Sequence, residues 1–231
     1  MDSFYDNKIK DRYIMVHILG EGVSGPVIEE NGMAVKTILL DREDIEHMYD
    51  LSNYKKIVFP PPRNCEIPDP RYFRDDQPFL PGVNPWRELA ILKECIDVEG
   101  VVRIIDYDVC SVWEDGREGG YLVIRTKVAG RRTLSDWLES DEYNIVDLKK
   151  IMDSICRSLV SLSMIGVVHM DLKPRNIVLD EVLNPTIVDF GWSMMKTFPM
   201  CEQEEKYFQN SLMSDYDNLM KFIKYKYKKN I

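Results

Sequence analysis

Eight of the chain's twelve prolines fall in one stretch, residues 43 to 85: Pro60, Pro61, Pro62, Pro68, Pro70, Pro78, Pro81 and Pro85. Each proline removes a backbone donor and fixes φ, so neither a long helix nor a central strand survives at that density. The stretch reads as an extended surface insertion, with room for a short helix around Asp44 to Leu51. It splits the chain into a strand-rich part before it and a longer mixed part after it.

Ahead of the insertion, Tyr13-Ile14-Met15-Val16 and Ile18-Leu19 run into a glycine cluster. Val27-Ile28 and Met33-Ala34-Val35 then flank Asn31-Gly32, a strong hairpin signal because both turn residues tolerate positive φ. Behind the insertion, Asn84 and Pro85 suit a helix start, and Leu89, Leu92 and Ile96 give that helix an apolar face. Strands are expected at Val101–Ile105 and Tyr121–Ile124, with Gly116 and Gly119-Gly120 turning between them. A short helix opens at Thr133. Leu148, Ile151, Ile155, Leu159 and Leu162 mark a long amphipathic helix between Asp147 and Gly166. Ile177-Val178-Leu179 and Thr186-Ile187-Val188 read as paired strands, and a final helix starts near Ser214. Its lysines, Lys221 to Lys229, suit a helix C-terminus.

This order predicts one two-lobed α+β domain over residues 1–231. An N-terminal lobe of about 1–125 carries an antiparallel sheet, a helix and the insertion. A hinge at 125–130 leads to a mainly helical, truncated lobe at 131–231. The net charge of −9 weighs against a nucleic-acid-binding role. The five cysteines, Cys65, Cys95, Cys110, Cys156 and Cys201, are odd in number and have no C-x-x-C spacing, which predicts reduced thiols. With no signal peptide, lipidation motif or long apolar run, a soluble cytoplasmic protein without membrane contact is expected; oligomeric state is not readable.

Four sequence features fit one chemistry, the transfer of a phosphoryl group from a nucleotide. Gly20-Glu21-Gly22-Val23-Ser24-Gly25-Pro26-Val27 can cradle phosphates, because glycine lets backbone N–H groups approach closely. It leads into a hairpin rather than a helix, which disfavours a dinucleotide fold. Lys36 in Val35-Lys36 can hold the inner phosphates, anchored by Glu88 of the following helix. Asn176 and Asp189 offer hard oxygen ligands for magnesium. Asp171 can orient an attacking hydroxyl, and Lys173 can neutralise the transferring phosphate. His169-Met170-Asp171-Leu172-Lys173-Pro174-Arg175-Asn176 followed by Asp189-Phe190-Gly191 is the specific signal in this set.

In this order the motifs resemble the eukaryotic-type protein kinase family, and Lys173-Pro174 is similar to its serine/threonine subgroup. The resemblance covers roughly residues 13–42 and 84–192. It implies ATP and Mg2+ as cofactors, a protein as substrate, Ile124 as gatekeeper, and adenine contacts from the backbone of Arg125 to Lys127. It also places Asp215 where the family braces its catalytic loop. Five departures stand out. Met170 replaces the arginine that pairs with a phosphorylated activation loop. No Ala-Pro-Glu follows Gly191, which predicts a minimal member without activation segment or most of the helical subdomain, as in the small RIO and Bud-type kinases. The insertion separates Lys36 from Glu88, the Val27–Lys36 hairpin is short, and Pro26 lies in the phosphate loop. The leading expectation is a Mg-dependent serine/threonine protein kinase. Alternatives are a kinase of a small molecule or one dedicated partner, and a pseudokinase acting as a nucleotide-binding module.

Overall fold

The computed structural model describes residues 17–22, 25–40, 85–114, 117–196 and 202–227. The expected strand at Tyr13–Val16, the cap Asn84, and most of the proline-rich insertion lie outside them, as do Val23 and Ser24. The N-terminal sheet holds β1 (His17–Gly22), β2 (Gly25–Glu30), β3 (Met33–Leu40), β4 (Ile104–Glu114) and β5 (Arg117–Lys127). Its order is β1-β2-β3-β5-β4, and every pairing is antiparallel. The β2–β3 turn is built as expected: Asn31 and Gly32 take φ values of 53° and 76°, and Glu30 pairs with Met33 across it. Both turn residues having positive φ matches the right-handed twist of the flanking strands.

Helix α1 (Pro85–Glu94) packs on this sheet, with Leu89, Ile91, Leu92 and Cys95 buried in the same core as Ile38, Leu40, Leu122 and Ile124. Ile96, expected on the same apolar face, is instead exposed. The helix ends at Glu94, so the period of 3.6 does not carry on to it. The β4–β5 hairpin is much longer than expected. Gly119 and Gly120 do not turn the chain; they pair with Val112 and Ser111 inside the ladder. A glycine pair reads as a turn in sequence, but pairing across eleven-residue strands overrides that preference.

After β5 the chain forms β6 (Arg132–Thr133), α2 (Leu134–Glu139) and α3 (Ile145–Met164). Thr133 and Asp136 close a reciprocal capping box on α2. Asn144 caps α3, its side chain accepting from the N–H of Asp147 in the first turn. The five expected apolar positions of α3 are all buried. Beyond α3 come β7 (Val167–Val168), a 3-10 turn (Pro174–Asn176), β8 (Ile177–Leu179), β9 (Pro185–Ile187) and β10 (Met194–Met195). β6, β8 and β9 make one small sheet, and β7 with β10 another.

The last helix, α4 (Glu202–Tyr227), starts twelve residues before the expected Ser214. Ser214-Asp215 resembles a cap, but no glycine or proline interrupts residues 202–227. Asp215 is buried in mid-helix, and Phe208 packs in a cluster with Val168 and Met194. The α+β architecture expected from the sequence is thus present. Among the described residues no helix is long and apolar enough to cross a membrane.

Candidate active site

The side chains of a strand alternate between faces. Lys36 shares its face of β3 with Ile38 and Leu40, both buried, so its stem enters the core instead of water. Its register partners are Val27 on β2 and Ile124 on β5. Glu88 is 2% exposed on α1. The Lys36 ammonium donates to both Glu88 carboxylate oxygens, at 2.7 and 3.0 Å, and to Asp189 Oδ1 at 3.0 Å. One cation therefore joins the sheet, α1 and the Asp189-Phe190-Gly191 turn.

The electrostatics follow from burial and this sharing. Burial disfavours the Lys36 ammonium, but Glu88 and Asp189 outweigh it and hold the group above the ordinary lysine range. Burial pushes the Glu88 carboxyl up, and the Lys36 charge only partly opposes that. Burial also acts to raise Asp189, yet Lys36 wins there and keeps its carboxyl below the usual range. Asp189 is the more exposed of the two carboxylates, so its charge is less costly to keep.

The catalytic-loop residues converge on Asp171. Lys173 Nζ donates to Asp171 Oδ2 at 2.7 Å. Asn176 Nδ2 donates to the Asp171 carbonyl at 3.0 Å and to Asp171 Oδ2 at 3.1 Å. Both of those partners can only accept, which fixes the amide orientation and leaves the Asn176 amide oxygen as an acceptor. An amide oxygen and a carboxylate are the hard type of donor that magnesium takes. Among the described residues no group of three His, Cys, Asp or Glu side chains could enclose a metal alone.

The loop is held in a strained form. Met170 and Asp189 have φ values of 68° and 65°, and a non-glycine residue in that region costs about 1 kcal/mol or more. Asp215 accepts from the Met170 N–H at 2.9 Å and also from the backbone at Leu172 and His169. Burial pushes its carboxyl up, while His169 and these backbone donors pull the other way. The fully buried His169 accepts at Nδ1 from the Asp171 N–H, at 3.3 Å. Its Nε2 lies 3.0 Å from the Val188 carbonyl, to which it donates. Its ring meets Phe190 edge to face at 4.9 Å. Ser193 Oγ donates to the His169 carbonyl at 3.1 Å. β10 pairs with β7, so the chain after the turn is tied to the strand that leads into the loop.

The six side chains thus fall into two clusters, Lys36–Glu88–Asp189 and Asp171–Lys173–Asn176, with the Val188 N–H donating to the Asn176 carbonyl at 2.9 Å between them. The backbone of Gly20, Glu21, Gly22 and Gly25 lies in the β1–β2 hairpin, where Gly22 pairs with Gly25. Pro26 pairs only with Glu21, one position beyond the end of the β3 ladder, so its missing donor breaks no bond to β3. Of the backbone expected to meet a base, Lys127 N–H is already occupied by the Arg103 carbonyl at 2.9 Å. The roles of Arg87, His169 and Ser193 were not legible in the sequence. Arg87 is 5% exposed and donates to the Gly191 carbonyl at 3.3 Å. Its one sequence signal is its place beside Glu88.

A family model described as the protein kinase domain matches residues 77–210. A probable serine/threonine-protein kinase, fnkB of Dictyostelium discoideum, is 28% identical over 112 residues, covering 48% of this chain and 20% of that protein. Mitogen-activated protein kinase p38b of Drosophila melanogaster is 30% identical over 126 residues, 50% of this chain and 32% of the relative. The O-antigen chain terminator bifunctional methyltransferase/kinase WbdD of Escherichia coli is 36% identical over 87 residues, 37% of this chain and 12% of the relative. The chain spans 32% or less of the length of these relatives.

Proposed function

Because this chain belongs to the protein kinase domain family, we propose that it transfers the γ-phosphate of ATP, with magnesium, to a serine or threonine hydroxyl of a protein. The observation that carries the reading is the bonding of the Lys36 ammonium to both Glu88 and Asp189. Asp171, with Lys173 and Asn176 on it, belongs to a loop tied to the strand before Asp189 by the Val188 N–H, which donates to the Asn176 carbonyl at 2.9 Å. Lys36, held by Glu88, would bind the α- and β-phosphates, and the Gly20–Gly25 backbone with Val23, Ser24 and Val27 would cover them. Asn176 and Asp189 would hold Mg2+, which supplies charge neutralisation on the phosphate oxygens when bound. Asp171 orients the acceptor hydroxyl and receives its proton at Oδ2. Lys173, which donates to that same oxygen, would move to the transferring group.

A second reading has its own support. WbdD is named a kinase, but not a protein kinase. A non-protein acceptor is therefore the alternative, still using the same six side chains. Incubating the chain with labelled ATP, a protein mixture and separate carbohydrate and metabolite pools distinguishes them. Label on phosphoserine or phosphothreonine supports the first reading. Label confined to a non-protein pool overturns it in favour of the second.

A further inference from the structure

The Asp189-Phe190-Gly191 turn begins at a residue in left-handed backbone, so neighbouring groups must hold it. Two of its three residues have holders already described. The Asp189 side chain is fastened to Lys36. Phe190 is fully buried against the His169 ring. The third holder is on α1: Arg87 donates to the carbonyl of Gly191. Glu88, its neighbour in sequence, lies over the same glycine. A Cβ built at Gly191 would come within 3.5 Å of Glu88 Oε2 and 3.9 Å of Lys36 Nζ. Two consecutive residues of one helix thus grip the turn, one through a cation relay and one directly.

Both contacts sit on one helix, so a displacement of α1 away from the turn loosens them together. The segment after the turn is tied by Ser193 to the His169 carbonyl and by β10 to β7.

We propose that Arg87 is a positioning residue for the metal-binding turn, holding Asp189 against Lys36 through the Gly191 carbonyl. The proposal rests on the phosphotransfer reading above for its kinetic consequence, but its structural half can be measured separately. Arg87→Met removes the donor and keeps the apolar stem; Arg87→Lys keeps a cationic donor. Both are first checked for a cooperative unfolding transition without nucleotide, and Arg87→Leu replaces the Met variant should that one not fold.

The first readout is the apparent Mg2+ constant, from thermal-shift titration at saturating non-hydrolysable ATP analogue. The second is kcat and KM for ATP in label transfer, using protein treated with phosphatase. Arg87→Met is expected to weaken Mg2+ and lower kcat by about tenfold with KM for ATP within about twofold, and Arg87→Lys to restore both to within about threefold. A Met variant with the parent Mg2+ constant overturns the proposal, as does a Lys variant as impaired as the Met one. A parent that stabilises with Mg2+ and the analogue but never transfers label refutes the phosphotransfer reading, and the Mg2+ titration then decides the role of Arg87 alone.

Discussion

Removing Lys36 has a cost that can be worked from the ionisation of its partner. Glu88 has a side chain 3% exposed, and its main compensation for burial is the ammonium at 2.7 and 3.0 Å. In Lys36→Met that ammonium is gone, and a buried carboxylate without a cation takes up a proton instead. The unfolded chain keeps Glu88 ionised above its ordinary value of 4.5. Holding the folded group protonated at pH 7 therefore costs at most the gap between pH 7 and 4.5 at about 1.36 kcal/mol per pH unit, roughly 3 kcal/mol, and because the Glu88 carboxyl is already raised in the parent this is the upper bound on the loss. A group whose folded pKa lies above its unfolded one binds more protons in the folded state, so stability falls as pH rises through that window. At pH 5 the same reasoning leaves less than about 1 kcal/mol.

For a chain of this size, about 3 kcal/mol corresponds to a fall in Tm of roughly 6–12 °C at pH 7. Adding Glu88→Gln removes the titrating group and should recover most of it, since replacing both members of a buried pair is far milder than removing one. Urea or thermal unfolding of the parent, Lys36→Met and the double variant at pH 5 and pH 7 measures all of this. Equal destabilisation of Lys36→Met at the two pH values, or a double variant no better than the single, would refute the reasoning.

Three further outcomes follow from single contacts. Asp215→Ala removes the acceptor for the Met170 N–H at a strained backbone position; about 1–3 kcal/mol of stability should be lost in urea unfolding, with kcat falling more than ATP affinity. Gly100→Ala places a Cβ 2.1 Å from Ser158 Oγ at a φ of +74°, so it should cost roughly 2 kcal/mol or more by thermal unfolding, and Ser158→Ala should recover only the steric part. Asn176→Asp sets a carboxylate against Asp171 Oδ2, where an amide now donates at 3.1 Å. Label transfer should drop by about a hundredfold or more while the fold persists.

Where the sequence could be read, the signal was local. Asn31-Gly32 carries its own turn chemistry, and the α3 periodicity marks the buried face that the fold uses. The motif around Asp171 was legible because its residues sit within one loop and meet there. Lys36–Glu88–Asp189 was legible only as an order of motifs, since the contacts span 52 and 153 residues. What escaped has a tertiary cause. The helix expected from about Ser214 begins at Glu202, while the brace that the resemblance implied at Asp215 is present as its contact with the Met170 N–H. Gly119-Gly120 looks like a turn, but its partners Val112 and Ser111 keep it in a strand. Arg87 has no periodic or motif signature, because its partner is a backbone carbonyl 104 residues away.

The measurement that bears most directly on the account is label transfer from γ-labelled ATP with magnesium by the parent and by Asp171→Asn, with ATP affinity measured on both. The account predicts that the parent transfers label, that the variant binds ATP within about threefold of the parent, and that its transfer falls by about a thousandfold. Transfer by Asp171→Asn at the parent rate would contradict it.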